Sequence, residues 1–290
     1  MATSTTSATE QAKDRHTLTY RLRNHDLKDP TRQVEVHATP EEVRRFAEEG
    51  YLVRERLLQG EQLERLRVAL DEVSAAESSV WGPGEGLSTS RRFGGVFLRH
   101  LMDKHAAFLD LLKFQPTLSV ARAMLGPQVQ VRGLSARISY PDQENQETHW
   151  HFHQRLIPDP LPPFFSRPQT IDALIYLDDA DDLNGPLCVV PGSHQQINED
   201  LPAEEYGDKP EQVVLRLPAG SCVMCHGALW HRALPTRPEG TVRRLLLLGY
   251  GPSWMKPSIY GTQPENGLTA RLLEDADEET RELLGVSGYM

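Results

Sequence analysis

This 290-residue sequence predicts a mainly β fold with flanking helices, an antiparallel sandwich or barrel, and two textures in the chain carry that expectation. Between residue 128 and about 252, short runs rich in apolar and β-branched residues are separated by Pro, Gly, Asp and Asn: VQVRGLSARISY, THWHFHQ, TIDALIYLDD, LCVVPG, QVVLRLP, SCVMCH and RRLLLLGY. Regularly spaced short strands with turn formers between them are the mark of an antiparallel sandwich or barrel. Ahead of them, apolar residues recur at helical intervals instead, so a helical N-terminal part would buttress one sheet.

Residues 1–38 are rich in Ser, Thr and charge with little apolar periodicity, which predicts a flexible N-terminal tail followed by one domain over 39–290. The domain opens where Thr39 can cap a helix and Pro40 can take its first position, because the N–H that proline lacks would be unpaired there anyway; Gly50 then ends it. A strand is expected over Tyr51–Leu58 and a helix over Gln62–Ser74, where Leu63, Leu66, Leu70 and Val73 fall at helical spacing. Residues 79–95, SVWGPGEGLSTSRRFGG, read as a long loop, and loops of that length in compact domains often cover binding sites. Two more helical patterns lie around 97–112 and 116–125, the second closed by Gly126-Pro127, and the last forty residues read as a mostly helical appendage.

Composition narrows the function classes. With 39% hydrophobic and 25% charged residues and no apolar run near the ~20 residues that cross a bilayer, a membrane span is not expected. A net charge of -10 argues against nucleic acid, whose binding relies on clustered Lys and Arg, and leaves a small-molecule partner. The N-terminal stretch lacks the apolar core of a secretory signal and the three cysteines cannot all pair with one another, so a cytoplasmic location is expected.

The densest chemistry lies at Thr148-His-Trp-His-Phe-His-Gln154, with His149, His151 and His153 at every second position. On a strand, side chains alternate between faces, so the three imidazoles would point one way while Trp150 and Phe152 point the other. Neutral imidazole is the commonest protein ligand for Fe, Zn, Cu and Ni, and two ligands at i and i+2 can grip one ion from the same side. His231, in Ala228-Leu-Trp-His-Arg232, is the best distant candidate to complete the set.

In their order and spacing, His151-Phe-His153, then Asn184-Gly-Pro-Leu-Cys-Val-Val-Pro-Gly-Ser-His194, then Leu229-Trp-His231 and Val242-Arg-Arg244 resemble the phytanoyl-CoA dioxygenase family of Fe(II)/2-oxoglutarate oxygenases. The similarity spans roughly residues 40–285, and the NGPLCVVPGSH segment is its most specific part. It implies a double-stranded β-helix (a cupin-like jelly roll), iron held by a His-x-Asp pair and a distal His, and 2-oxoglutarate as co-substrate. The first His maps to His151, the distal His to His231, and the 2-oxoglutarate-binding Arg to Arg243. Arg243 lies beside Leu-Leu-Leu-Leu, where a charge requires a partner: the co-substrate carboxylate, gripped by two parallel hydrogen bonds, or an Asp or Glu in a structural ion pair.

This chain departs from the family pattern at the carboxylate ligand, which is replaced by His153, so the expected metal site is His151, His153 and His231. Exchanging an anionic for a neutral ligand leaves the centre one unit more positive and should alter its redox potential. A Ser and an Asn usual after the distal His are here Ala233 and Thr236. Other signals are set aside. Cys222-Val-Met-Cys225-His226 matches the haem-attachment pattern but falls where the family has a barrel strand, which would send the two cysteines to opposite faces. His226 is expected to pack near the site, His149 to lie just outside the ligand set, His194 to be a turn residue, and Asp178, Asp179, Asp181 and Asp182 to be solvated; Glu147 offers a shifted Glu-x-His register. The expected activity is oxidation of a substrate C–H bond by O2 with Fe(II) and 2-oxoglutarate. Two alternatives stand beside it: a non-catalytic binding relative, and a three-histidine dioxygenase that does not use 2-oxoglutarate. The loop at 79–95 and residues 156–165 are expected pocket walls.

Overall fold

The computed structural model describes residues 15–21, 31–81, 89–90, 95–141, 147–153, 169–196, 205–255 and 267–286. In chain order, strands β1 (His16–Arg21) and β2 (Thr31–Val36) lead to helix α1 (Pro40–Glu49), β3 (Tyr51–Arg54) and α2 (Gly60–Trp81). Strands β4 (Thr89–Ser90) and β5 (Val96–Leu98) precede α3 (Leu101–Lys104), a 3-10 helix at Ala106–Leu111 and α4 (Gln115–Leu125). The remainder is mostly β: β6 (Val129–Ser139), β7 (Ile171–Tyr176), β8 (Leu187–Val189), β9 (Val213–Leu215), β10 (Cys222–His226), β11 (His231–Ala233) and β12 (Arg243–Pro252), closed by α5 (Leu268–Leu272) and α6 (Glu278–Leu283).

Seven strands form one antiparallel sheet in the order β3-β10-β7-β12-β6-β5-β4, and three form a second in the order β11-β8-β9. Period-two alternation sorts each central strand between two cores. On β7, Ala173 and Ile175 join the larger cluster with the helices, while Leu174 and Tyr176 join Leu187 and Val189 of the small sheet. On β12, Leu246 and Leu248 take the helix side and Leu245 the side of the small sheet. A strand buried on both faces needs apolar residues at every position, which is why the sequence there reads Leu-Leu-Leu-Leu. Cys222 and Cys225 fall to opposite faces in the same way, both buried and free, so the haem-like motif is strand packing.

The start of the domain follows its sequence signals. Thr39 accepts from the Glu42 amide while the Glu42 carboxylate accepts from the Thr39 amide, closing a capping box with Pro40 in the first turn. Gly50 ends the helix at φ 83°, a left-handed conformation that costs glycine nothing, and its amide reaches the Phe46 carbonyl at 2.8 Å.

Several expectations are corrected. Within the expected tail, residues 16–21 and 31–36 are ordered strands: β1 and β2 pair, Val34 and Val36 are buried, and Tyr20 Oη donates to the Arg122 carbonyl of α4 at 2.8 Å. The alternation is short, Val34 and Val36 set between polar residues, and the surrounding Ser, Thr and charge hide it. The strand expected to Leu58 stops at Arg54, and the helix expected over Gln62–Ser74 begins at Gly60 and continues through Trp81. The helical pattern at 97–112 divides into β5, α3 and the 3-10 helix, since residues 96–98 are drawn into the sheet between β6 and β4. Of the expected loop at 79–95, Trp81 ends a helix and Thr89–Ser90 pair with β5; most of the rest, with residues 156–165, lies outside the described residues. The C-terminal segment does hold two short helices.

Candidate metal centre

The segment carrying the three alternating histidines is not a regular strand; it is held by one β-bridge, His151 to His231, with amides on both residues bonded to the partner's carbonyl at 3.0 Å. Flanking bonds from the Thr148 amide to the Ala233 carbonyl at 3.0 Å and from the His153 amide to the Gly227 carbonyl at 2.8 Å keep it extended along β11. The expected alternation of faces survives. Trp150 is buried against Cys188, Val190 and Trp230, and its indole Nε1 donates to the Gly207 carbonyl at 2.7 Å. The histidines face the other way.

His151, His153 and His231 each offer a ring nitrogen within 4.8 Å of the others, a group that could hold a metal ion. Their orientation is set from behind. His151 Nδ1 meets the His149 carbonyl at 2.8 Å, His231 Nδ1 meets the Leu229 carbonyl at 2.9 Å, and His153 Nδ1 meets the Asp172 carboxylate at 2.9 Å. Carbonyls and carboxylates accept hydrogen bonds and do not donate them, so each Nδ1 carries the proton and each Nε2 keeps its lone pair for the shared space. Burial, and then the neighbouring ring of His153, pulls His231 down to about 3; burial together with both other rings holds His151 well below the usual imidazole range. Both are therefore neutral at pH 7, the form that ligates metals.

The rings face a cavity of about 340 Å³ whose wall includes Arg132, Arg137, Asp172, Tyr176, Leu245 and Arg243. Arg243 is 1% exposed. Its Nη1 donates to the Gly185 carbonyl and its Nη2 to Ser139 Oγ at 3.0 Å, while Nε is buried with no partner among the described residues. No described carboxylate pairs with it, so the structural ion pair allowed by the sequence is not formed among the described residues. Gly185 sits at φ 73°, where a Cβ would collide with both the Leu234 carbonyl and Arg243 Nη1; the glycine of the NGPL run lets the backbone close over the guanidinium. Arg244, one residue on, points to the opposite face and pairs with Asp71 and Asp178, at 2.8 Å and 3.1 Å.

Arg137, Arg132 and Asp172 were not singled out by sequence reasoning. Arg137 had a signal: Gly133, Ser135, Arg137 and Ser139 alternate with the buried Leu134, Ala136 and Ile138 of β6. Burial, and then the charge of Arg243, lowers the Arg137 guanidinium to about 10. Asp172 had none, being one acid in the run IDALIY. Burial opposes its ionisation, but His153, Arg132 and His231 outweigh that and hold it below the usual carboxylate range.

The remaining candidates fall outside the group. The His149 ring stands 5.5 Å from that of His151, and its carbonyl orients His151. Glu147 is engaged by Arg232 at 2.9 Å, so the shifted register is not formed. His194 lies in a 3-10 turn with Nε2 donating to the Ala47 carbonyl at 3.1 Å, and His226 packs on it with ring centroids 4.7 Å apart rather than on the cavity. The four aspartates serve the turn and its neighbours: Asp178 pairs with Arg244, Asp179 accepts from the Ala219 amide, Asp181 from those of Leu183 and Asn184, and Asp182 pairs with Arg216.

Facing antiparallel sheets with three convergent imidazoles on a cavity define a candidate mononuclear metal protein. Residues 46–245 match the model of the family described as Phytanoyl-CoA dioxygenase (PhyH), and the chain belongs to that family. An ectoine dioxygenase of Nocardia farcinica is 29% identical over 199 residues, covering 66% of this chain and 63% of that protein. The L-proline trans-4-hydroxylase of Streptomyces griseoviridis is 25% identical over 231 residues, covering 70% of this chain and 82% of that one. The match thus spans less than two thirds of the length of the ectoine dioxygenase. Among solved structures, the non-heme alpha ketoglutarate dependent carbocyclase SnoK shares the fold with a TM-score of 0.59 and 22% identity, over 79% of this chain and 93% of that one. HygX from Streptomyces hygroscopicus, with nickel and 2-oxoglutarate bound, gives 0.59 and 20% identity over 76% and 89%. No described helix is long and apolar enough to cross a membrane.

Proposed function

We propose that this protein is an Fe(II)/2-oxoglutarate-dependent dioxygenase that hydroxylates or otherwise oxidises a C–H bond of a small organic substrate. One observation carries the reading: three imidazoles with every Nδ1 occupied from behind share a cavity with a buried guanidinium that has no acid of its own among the described residues. The donor set fits a ferrous ion, because neutral imidazole suits Fe(II) and the ring tautomers are already fixed. The cavity fits a dicarboxylate, because no acid among the described residues compensates the charge of Arg243.

In this reading His151, His153 and His231 hold the iron, which would supply oxygen activation coupled to decarboxylation of 2-oxoglutarate to succinate. Arg243 takes a carboxylate of the co-substrate with its planar fork and so fixes the direction from which the other end approaches the histidines. Leu174, Leu187, Leu245 and Leu247 on the wall keep water from the reacting groups. A dioxygenase without 2-oxoglutarate would leave Arg243 desolvated with nothing to pair, which favours the co-substrate reading. The two facing sheets are read as the halves of a double-stranded β-helix, and residues 39–290 as one oxygenase domain that also carries the β1–β2 hairpin. A cytoplasmic location suits the three free, buried cysteines.

His151→Ala and His231→Ala should each abolish Fe(II)-dependent succinate formation while the far-ultraviolet circular dichroism stays that of the wild type. Full turnover in both variants would remove the assignment.

A further inference from the structure

His151 and His231 are oriented by the same local device, an Nδ1–H bond to the carbonyl two residues earlier in the chain. His153 is not. Its Nδ1 reaches across to Asp172 Oδ2 at 2.9 Å, nineteen residues on and in a different element. Asp172 cannot easily move from this position. It sits on β7 in the interior of the large sheet, paired to Cys225 on one side and Gly249 on the other, and a Cβ on Gly249 would lie only 3.2 Å from Asp172 Oδ1. The missing side chain leaves the carboxylate its place beside β12. Asp172 is also the only acid among the described residues lining the cavity. Three neutral imidazoles bring no negative charge to a divalent ion, and in a poorly hydrated site that charge is expensive to leave uncompensated.

We propose that Asp172 is a positioning residue of the metal centre: through the Nδ1–H of His153 it fixes Nε2 on the ion and sets an anionic charge a hydrogen bond behind the ligand. This rests on the three-histidine reading above. The imidazole becomes a stronger donor when its N–H is given to a carboxylate, and the centre recovers part of the negative charge that a directly ligating carboxylate would have supplied. Asp172 touches neither substrate nor ion in this role. Its effect passes entirely through His153.

The experiment is anaerobic equilibrium dialysis of the full chain against Fe(II) alone, together with the visible charge-transfer band formed on adding 2-oxoglutarate. Asp172→Ala should weaken Fe(II) binding by roughly 10- to 100-fold. Asp172→Asn keeps an acceptor but loses the charge, so it should weaken binding less and shift the visible band to higher energy, since a ligand with less electron density makes the iron harder to oxidise. In a His153→Ala background, dialysed at Fe(II) concentrations high enough to load the two remaining histidines, Asp172→Asn should not weaken the residual Fe(II) affinity further, whereas a purely structural aspartate would act equally with and without His153. Wild-type affinity and band position in Asp172→Asn, or an undiminished effect of it in the His153→Ala background, would overturn the proposal. Should Asp172→Ala fail to fold, Asp172→Asn and the cycle decide alone. His231→Ala serves as the control: wild-type Fe(II) binding by that variant sinks the metal-centre reading itself, while its loss beside unchanged Asp172 variants sinks only the role of Asp172.

Discussion

Arg243 shows how a single residue can carry a functional statement. A guanidinium stays protonated at any ordinary pH, so burying it commits the fold to finding hydrogen bonds and charge for it. The Gly185 carbonyl and Ser139 Oγ supply hydrogen bonds but no charge. If a ligand carboxylate completes the set, as proposed, Arg243→Met should raise the 2-oxoglutarate KM by two orders of magnitude or more, about 2.7 kcal/mol, in steady-state oxygen consumption. Arg243→Lys keeps the charge but not the fork and should recover only part of that loss. An unchanged KM in Arg243→Met would place the co-substrate elsewhere. His153 teaches the complementary lesson: the alternation that aimed it was visible in three histidines at period two, whereas its partner Asp172 is distant in sequence and resembles any other strand acid.

At the scale of elements, the best-read piece is α1. Its start and stop are local chemistry, Thr39 with Glu42 at one end and Gly50 at the other, so the sequence alone bounded it correctly. Thr39→Ala should cost about 1 kcal/mol in urea denaturation. Gly50→Ala should cost more, because the left-handed backbone disfavours a side chain and the added Cβ would come within 2.5 Å of His194 Nδ1. The larger cost would confirm that the end of α1 and the Pro-Gly-Ser-His turn are packed as one unit. Elements fixed by their neighbours were read less well. Residues 96–98 follow β6 into the sheet despite a helical pattern, and the histidine segment is extended only because β11 and its flanks hold it.

For the whole molecule, the proposed metal centre draws on parts that lie far apart in sequence: the 147–153 segment, β7, β11 and β12. An ion that binds only when these are assembled stabilises the assembled state by linkage, about 2.7 kcal/mol at a free concentration one hundred times its Kd. Chelation should therefore lower the thermal midpoint by roughly 5 °C, given ~2 °C per kcal/mol for a chain of this size. Differential scanning fluorimetry with and without Fe(II) under anaerobic conditions reads this directly. The wild type should shift and His231→Ala should not; equal shifts in both would mean that the ion acts somewhere other than at these histidines.

The sequence by itself determined what depends on local periodicity and local capping: the mainly β class, the first helix and the faces of the histidine run. Tertiary structure alone decided what depends on contacts between distant segments. It paired β1 with β2, brought His231 against His151, left Arg243 without an acid among the described residues, and set Asp172 behind His153. The physical reason is that a strand's alternation says which way a side chain points but not what it meets, and what it meets is fixed only when the sheets close on each other.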